Sequence, residues 1–205
     1  MKNSRSLHIE REQNHFEVLC GGELKIRVDR DATCEVIVLG EASVEVELVG
    51  QGAECKVYGL VVAAGSEDVK INSTVRHIAE NCKSHQIFRA VATDNAVVHF
   101  GGMIYVEKGA EGSVALQQSD NIVLSDGAKV LTDPQMEIYA EDVQCNHGAT
   151  VGRRDELALF YMRQRGMCEK DAMALLLESF CYAIVEVGHQ SSEIDEYIKR
   201  GIEKL

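Results

Sequence analysis

Between Phe16 and about Val143 the sequence never settles into a helical period. It runs as short segments such as FEVLC, LKIRV, CEVIVLG, SVEVELVG, CKVYGLVVAAG, HQIFRAVAT and AVVHFGGMIYV. Each is rich in β-branched residues, and each is followed within a few residues by Gly, Asp or Asn. Turn signals that return about every ten residues, with no helix between them, restrict this stretch to a sandwich, a barrel or a parallel β-helix. Asn-Gly hairpin turns are absent. Gly-Ala pairs at Gly52-Ala53, Gly109-Ala110, Gly127-Ala128 and Gly148-Ala149 recur as small corner residues of stacked rungs would. Both features favour the parallel (right-handed) β-helix.

After Thr150 the period changes. Asp155-Glu156 opens a helix that carries Leu157, Phe160 and Tyr161 and ends at Gly166. A second helix is expected from about Glu169 to Val187, with Ala172, Leu175, Leu176, Phe180, Ala183, Ile184 and Val187 on one stripe, stopping at Gly188. The third begins at Ser192-Glu193-Ile194-Asp195, a capping box with Asp in place of Glu, and presents Ile194, Tyr197, Ile198, Ile202 and Leu205. Residues 1–15 are polar and read as a frayed arm or one short helix. The expected organisation is therefore an arm (1–15), a mainly β core (16–150) and a C-terminal helical subdomain (151–205).

Charge narrows the function. The formal net charge is -12, which argues against a nucleic-acid surface, since phosphate binding needs clustered Lys and Arg. Residues 1–150 hold 13 of the 21 basic residues but 23 of the 33 acidic ones, so the tail is nearer neutral and freer to meet a partner. No stretch approaches the ~18 apolar residues of a membrane helix, and the N-terminus has no signal-like apolar run. A cytoplasmic protein without a membrane partner is expected. The seven Cys are odd in number and form no C-x-x-C pair. In a reducing compartment they read as small buried hydrophobes, Cys145 excepted.

Three groups of residues could carry chemistry. His77, Cys82 and His85 offer imidazole and thiolate, but their spacing fits no standard zinc pattern, and strand alternation need not bring them together. Asp120, Asp126, Asp133 and Glu137 would serve a β-helix carbohydrate-active enzyme if two of them faced each other across a groove. Cys145 and His147, two apart at the end of the β body, would point to the same side of a strand. An imidazole and a thiolate so placed could ligate a metal. One chain would supply at most these two ligands. Arg153, Arg154, Arg163 and Arg165 read as a solvated helix face. No Walker-type phosphate loop occurs, so the chain offers no ATP site.

The run LQQSDNIVLSDGAKVLTDPQMEIYAEDVQCNHGATVG and the Phe160-Tyr161-x-x-x-Arg165-Gly166 helix resemble the SufB/SufD family of iron-sulfur cluster assembly proteins. The resemblance extends over roughly His77–Ala183, and the part before residue 70 is shorter than the family norm, which suggests fewer rungs and no separate N-terminal helical domain. It implies a parallel β-helix followed by helices. It also implies a non-catalytic scaffold subunit that carries a transient iron-sulfur cluster and works with a SufC-like ABC ATPase. Carried over onto this chain, His147, with Cys145 beside it, lies at a subunit interface where the nascent cluster sits. Phe160, Tyr161, Arg165 and Gly166 belong to the ATPase-docking region. SufB-like members have a functional Cys near Gln117-Gln118 and a His-Glu pair. This chain has Ser119 and Gly148 there, so its His147-Gly148-Ala149-Thr150 form is SufD-like. A homodimer, or a heterodimer with a SufB-like paralogue, follows from the resemblance. An adaptor that regulates the ATPase without touching the cluster is the main alternative.

Overall fold

In the computed structural model, which describes residues 4–185 and 191–205, twelve strands alternate between two parallel sheets. The first sheet holds β1 (Ser4–Ile9), β3 (Gly22–Val28), β5 (Ala42–Leu48), β7 (Asp68–His77), β9 (Val97–Val106) and β11 (Lys129–Ile138), in that order. The second holds β2 (Asn14–Leu19), β4 (Thr33–Leu39), β6 (Glu54–Ala63), β8 (Lys83–Ala92), β10 (Val114–Val123) and β12 (Gln144–Gly152). Each turn of the chain contributes one strand to each sheet, and every pairing is parallel. This is the expected β-helix, flattened into two facing sheets.

The corners explain why the repeat looked irregular. Glu12, Asp31, Gly52, Asn81, Gly112 and Asp142 all adopt φ between 53° and 74°, a region that Gly, Asn and Asp enter most cheaply. The N–H groups of Glu12, Asp31, Gly52 and Asn81 donate to the carbonyls of Arg30, Gln51, Glu80 and Glu111, each the residue before the next corner. A small residue follows each of four corners and is fully buried: Ala32, Ala53, Cys82 and Ser113. What repeats is the backbone shape, which several residue types satisfy. Of the four Gly-Ala pairs, Gly148-Ala149 is no corner: it lies inside β12.

Within the expected arm or short helix, the described residues form a strand. Ser4–Ile9 pairs with β3 from Ser4↔Glu23 to Ile9↔Val28. Its polar composition reflects its place on the outermost turn, where Ile9 alone reaches full burial.

The turns widen partway along the chain. Side-chain partners on neighbouring turns are 21 residues apart at Arg30–Gln51 but 29 apart at Asn72–Ser43 and 31 at Arg76–Glu107. Because β4 pairs with β6 only as far as Leu39↔Leu60, the last residues of β6 project past it. The helical tail covers this ledge. It comprises α1 (Glu156–Gln164), α2 (Glu169–Tyr182) and α3 (Ser192–Lys204). The Tyr197 hydroxyl accepts the Val62 N–H (3.3 Å), and Lys204 pairs with Glu67 (3.0 Å). Gly201 lets α3 lie directly on Val62, since a Cβ there would sit 2.8 Å from the Val62 Cβ.

Packing against the tail is written into the strands. In β5, SVEVEL alternates buried and half-buried positions, whereas in β4 CEVIVL is buried throughout. A strand covered on both faces needs apolar residues on both. The inner face of the second sheet meets the first, while Ile37, Leu39, Tyr58, Leu60, Val62 and Val91 pack outward against Leu177, Cys181, Ile184, Ile194 and Ile198. Arg89 fastens the junction: its Nη1 donates to the Phe180 carbonyl (2.7 Å), and its guanidinium lies 4.8 Å from the centre of the Phe180 ring.

Two helix boundaries differ from expectation. The second helix ends at Tyr182, with Ala183 as its cap; its buried positions are Ala172, Leu177 and Cys181, whereas Leu175 of the expected stripe is exposed. The expected stop at Gly188, like Val187, lies outside the described residues. The third helix is capped by Ser191, whose hydroxyl accepts the Ile194 N–H (3.3 Å). Its buried Ile194 and Ile198 are as read from the sequence.

Candidate functional site

The first and last turns of a β-helix each leave one strand edge per sheet unpaired, and the two ends here differ. At the N-terminal end β1 carries Arg5 and His8, the kind of charged edge that discourages strand addition. At the C-terminal end β11 and β12 are the terminal strands of their sheets. Pro134 interrupts β11, which tolerates it because only one side is paired. β12, read QCNHGATVG, has no charged residue along its nine positions and is exposed almost throughout. Leu131, Ile138, Tyr139 and Val151 are exposed around the same end. Unlike β1 and β11, the β12 edge carries no Asp, Glu, Lys, Arg or Pro that would discourage pairing.

Cys145 and His147 both lie on β12, on its inward side. They are in register with Ala115 and Gln117 of β10, residues that are buried in the interior. Cys145 is half-buried and packs beside Ile104, Val106, Ala110 and Ala115. Burial pushes its thiol up from the ordinary range, against a smaller opposite pull from the Ala115 N–H. The thiol is therefore mainly protonated in the free chain, and binding a metal there would release a proton. His147 is exposed at the open end.

A shallow pocket of about 380 Å³ runs along the same strand from its outward side, where His85, Gln118, Asp120 and Thr150 line it, to His147 and Gln117 at the open end. A Cβ on Gly148 would meet nothing within 4 Å, so the glycine borders open space. Asp120 is fixed at the base by Gln118 (2.6 Å) and by Thr150 Oγ1 (2.9 Å). Sequence reasoning missed this pocket, since His85 lies two turns away from β12 in the chain.

The other groups do not converge. His77 is fully buried, with Nε2 2.7 Å from Ser84 Oγ, and the Cys82 thiol donates to the Gly50 carbonyl (3.4 Å). His85 lies on the opposite face of β8. No cluster of three or more metal-ligating side chains is present among the described residues. Asp120 lies on the outer face of the second sheet and Asp133 and Glu137 on that of the first, while Asp126 sits in a turn and pairs with Arg153 (2.6 Å). They form no facing pair.

The tail offers a second surface. Asp155 caps α1 by accepting the Leu157 and Ala158 N–H groups (3.0 and 2.9 Å), and Gly166, at φ 92°, ends the helix turn. The helical spacing of Leu157, Phe160 and Tyr161 is real, but it faces outward. These residues are 82%, 62% and 59% exposed, whereas Leu159 is the buried one. The guanidinium of Arg165 lies 5.0 Å from the Tyr161 ring centre and donates to its hydroxyl (2.8 Å). Arg154 pairs with Glu156, and Arg163 with Glu169. The arginines thus brace the helix while its aromatic face stays open.

Comparison with known proteins fits this architecture. The family model described as "SUF system FeS cluster assembly, SufBD core domain" matches residues 2–180, so the match reaches well before His77. The iron-sulfur cluster assembly protein SufD of Escherichia coli is 30% identical over 168 residues, covering 80% of this chain and 40% of that protein. An iron-sulfur cluster assembly SufBD family protein of Synechocystis is 31% identical over 127 residues, covering 62% and 28%. One from Mycobacterium leprae is 28% identical over 139 residues, covering 68% and 16%. The chain thus spans less than half the length of these relatives, which are named as assembly proteins. No described helix is long and apolar enough to cross a membrane. A two-sheet β-helix with helices on its flank, and a family match along most of its length, place this chain in the SufBD core-domain family of the SUF iron-sulfur cluster assembly system.

Proposed function

We propose that the chain is a cytoplasmic scaffold subunit of a SUF-type assembly complex, with no catalytic residue of its own. The observation that carries this reading is the placement of Cys145 and His147 on the inward side of a terminal strand that has no Asp, Glu, Lys or Arg and whose outer edge is unpaired. A second subunit seated on that edge, either another copy or a SufB-like paralogue, would enclose both side chains between two β-helices. A tetrahedral iron takes four ligands. One chain offers a thiolate and an imidazole, so the rest come from the second subunit or from sulfide. The cluster is cargo, formed and passed on.

The partner that drives the cycle is a SufC-like ABC ATPase, docked on the tail. Leu157, Phe160 and Tyr161 form the contact face, with Arg165 and Gly166 holding its shape. Exposed aromatic residues beside arginines are the side chains that most often anchor protein interfaces. A second reading, an adaptor for the ATPase that never meets iron, is favoured by Ser119: it stands where SufB-like members have their Cys and is fully buried, its hydroxyl accepting from Asn121 (3.0 Å).

Anaerobic co-purification with the host's SufC-like ATPase, followed by iron and sulfide reconstitution, separates the two. The scaffold reading expects a complex with iron-sulfide absorption that His147→Ala and Cys145→Ser abolish without loss of the ATPase. A wild-type complex that binds the ATPase yet stays colourless after reconstitution would favour the adaptor. Failure to bind the ATPase would refute both.

A further inference from the structure

Inside the last turns the β-helix stops being a hydrocarbon core. Gln86 on β8 and Gln117 on β10 are in register and point inward, and both are buried, at 0% and 3% exposure. Neither amide has a protein partner at Nε2 or Oε1, and the hydroxyl of buried Ser73 is likewise unpartnered. Ser73 is in register with Gly102, and Gly102 with Pro134, along the facing sheet. A Cβ on Gly102 would collide with Gln117 Nε2, so the Gln117 side chain reaches across to the opposite wall, into space left by the glycine.

Taken turn by turn, these pairs outline a slot along the axis. Val44 and Val57, buried and apolar, close its inner end, being in register with Ser73 and Gln86. Ser73 and Gln86 line the next turn, Gly102 and Gln117 the one after, and Pro134 and His147 follow in register on the last turn. Leaving buried amides and a hydroxyl without partners is costly, and native interiors seldom carry several such groups together. All are uncharged: the amide nitrogens donate, the amide oxygens accept, and the hydroxyl can do both. This suits a small neutral hydrogen-bonding molecule, not an ion.

We infer that Ser73, Gln86 and Gln117 form a closed polar slot that holds ordered water, one turn behind His147. A buried water typically makes about three hydrogen bonds, and the two amides and the hydroxyl supply that number. The slot gives the terminal turn a wetted inner wall. It does not depend on the cluster reading, because it is built from residues behind β12.

Water–amide cross-relaxation NMR on the full chain, labelled at glutamine side-chain nitrogen, tests this directly. The Gln86 and Gln117 amide protons should show cross-peaks to water with the sign of a long-lived contact, unlike those of exposed Gln118. A high-resolution crystal structure should show water within hydrogen-bond distance of both amides and of Ser73 Oγ. Gln117→Leu should remove the Gln86 cross-peak, and Gln118→Leu should leave it intact. Gln86 and Gln117 amides bonded to each other with no water density, or absent cross-peaks in the wild type, would overturn the inference. Because the wild type alone decides, a variant that fails to fold does not rescue the idea.

Discussion

His77 makes a quantitative test of how the interior is built. It is fully buried against Ser84, and burial lowers its pKa from 6.5 to about 4, only partly offset by the Cys82 carbonyl, which favours the protonated ring. A base whose folded pKa lies below its unfolded value stabilises the fold fully above about pH 6.5. That stability is lost progressively as pH falls towards 4, because the unfolded chain takes up the proton first. The full shift corresponds to about 3 kcal/mol, of which roughly 2 kcal/mol should disappear between pH 7.5 and pH 5. The assay is urea unfolding at a series of pH values for the wild type and His77→Gln. The six other histidines and the carboxylates titrate in both proteins, so the difference isolates His77. The gap between the two proteins should shrink by roughly 2 kcal/mol on going from pH 7.5 to pH 5. Parallel stability curves would refute the claim that His77 is held neutral by burial.

Other substitutions test the packing and the surfaces. Gly102→Ala should destabilise by about 1–3 kcal/mol, because its new methyl meets Gln117 and Phe100, whereas Gly148→Ala, facing open space, should change the melting temperature little. Leu177→Ala or Ile198→Ala should cost about 2–5 kcal/mol and expose the tail to limited proteolysis before the β-helix. A tail that stays resistant would refute the docking described by the buried cluster. Phe160→Ala combined with Leu157→Ala should leave stability within about 0.5 kcal/mol yet weaken ATPase binding at least tenfold by titration calorimetry; unchanged binding would remove α1 from the interface.

Much of this fold can be read from the strands themselves. CEVIVLG against SVEVELVG already says that one sheet is covered on both faces and the other is not, and period-two logic correctly placed Cys145 and His147 on one side of a strand. The corners were harder to read, since Glu12, Asp31, Gly52, Asn81, Gly112 and Asp142 share a backbone conformation that no single residue type marks. The N-terminal strand was hidden by its polarity, because an outermost turn has few neighbours to bury against. On α1 the spacing showed a helix but not its orientation: Leu157, Phe160 and Tyr161 share a face, and only the packing of Leu159 reveals that this face is turned outward. Gln86 and Gln117, adjacent in register, are 31 positions apart in the chain, a relation that becomes visible only once the register is fixed.

Only Arg153, Arg154 and Asp155 separate the end of β12 from the first turn of α1, and Arg153 is tied back to Asp126 in the turn between β10 and β11. So short a tether leaves almost no slack. A pull on α1 directed along β12 would load the whole ladder between β10 and β12 in shear, its bonds sharing the force, whereas a pull directed away from the sheet would peel the strand from its Gly152 end one bond at a time. β12 has a neighbour on one side only, so the angle at which α1 is drawn selects between a rigid terminal strand and one that opens towards Cys145 and His147. The molecule is in this sense a mechanical element whose stiffness depends on direction.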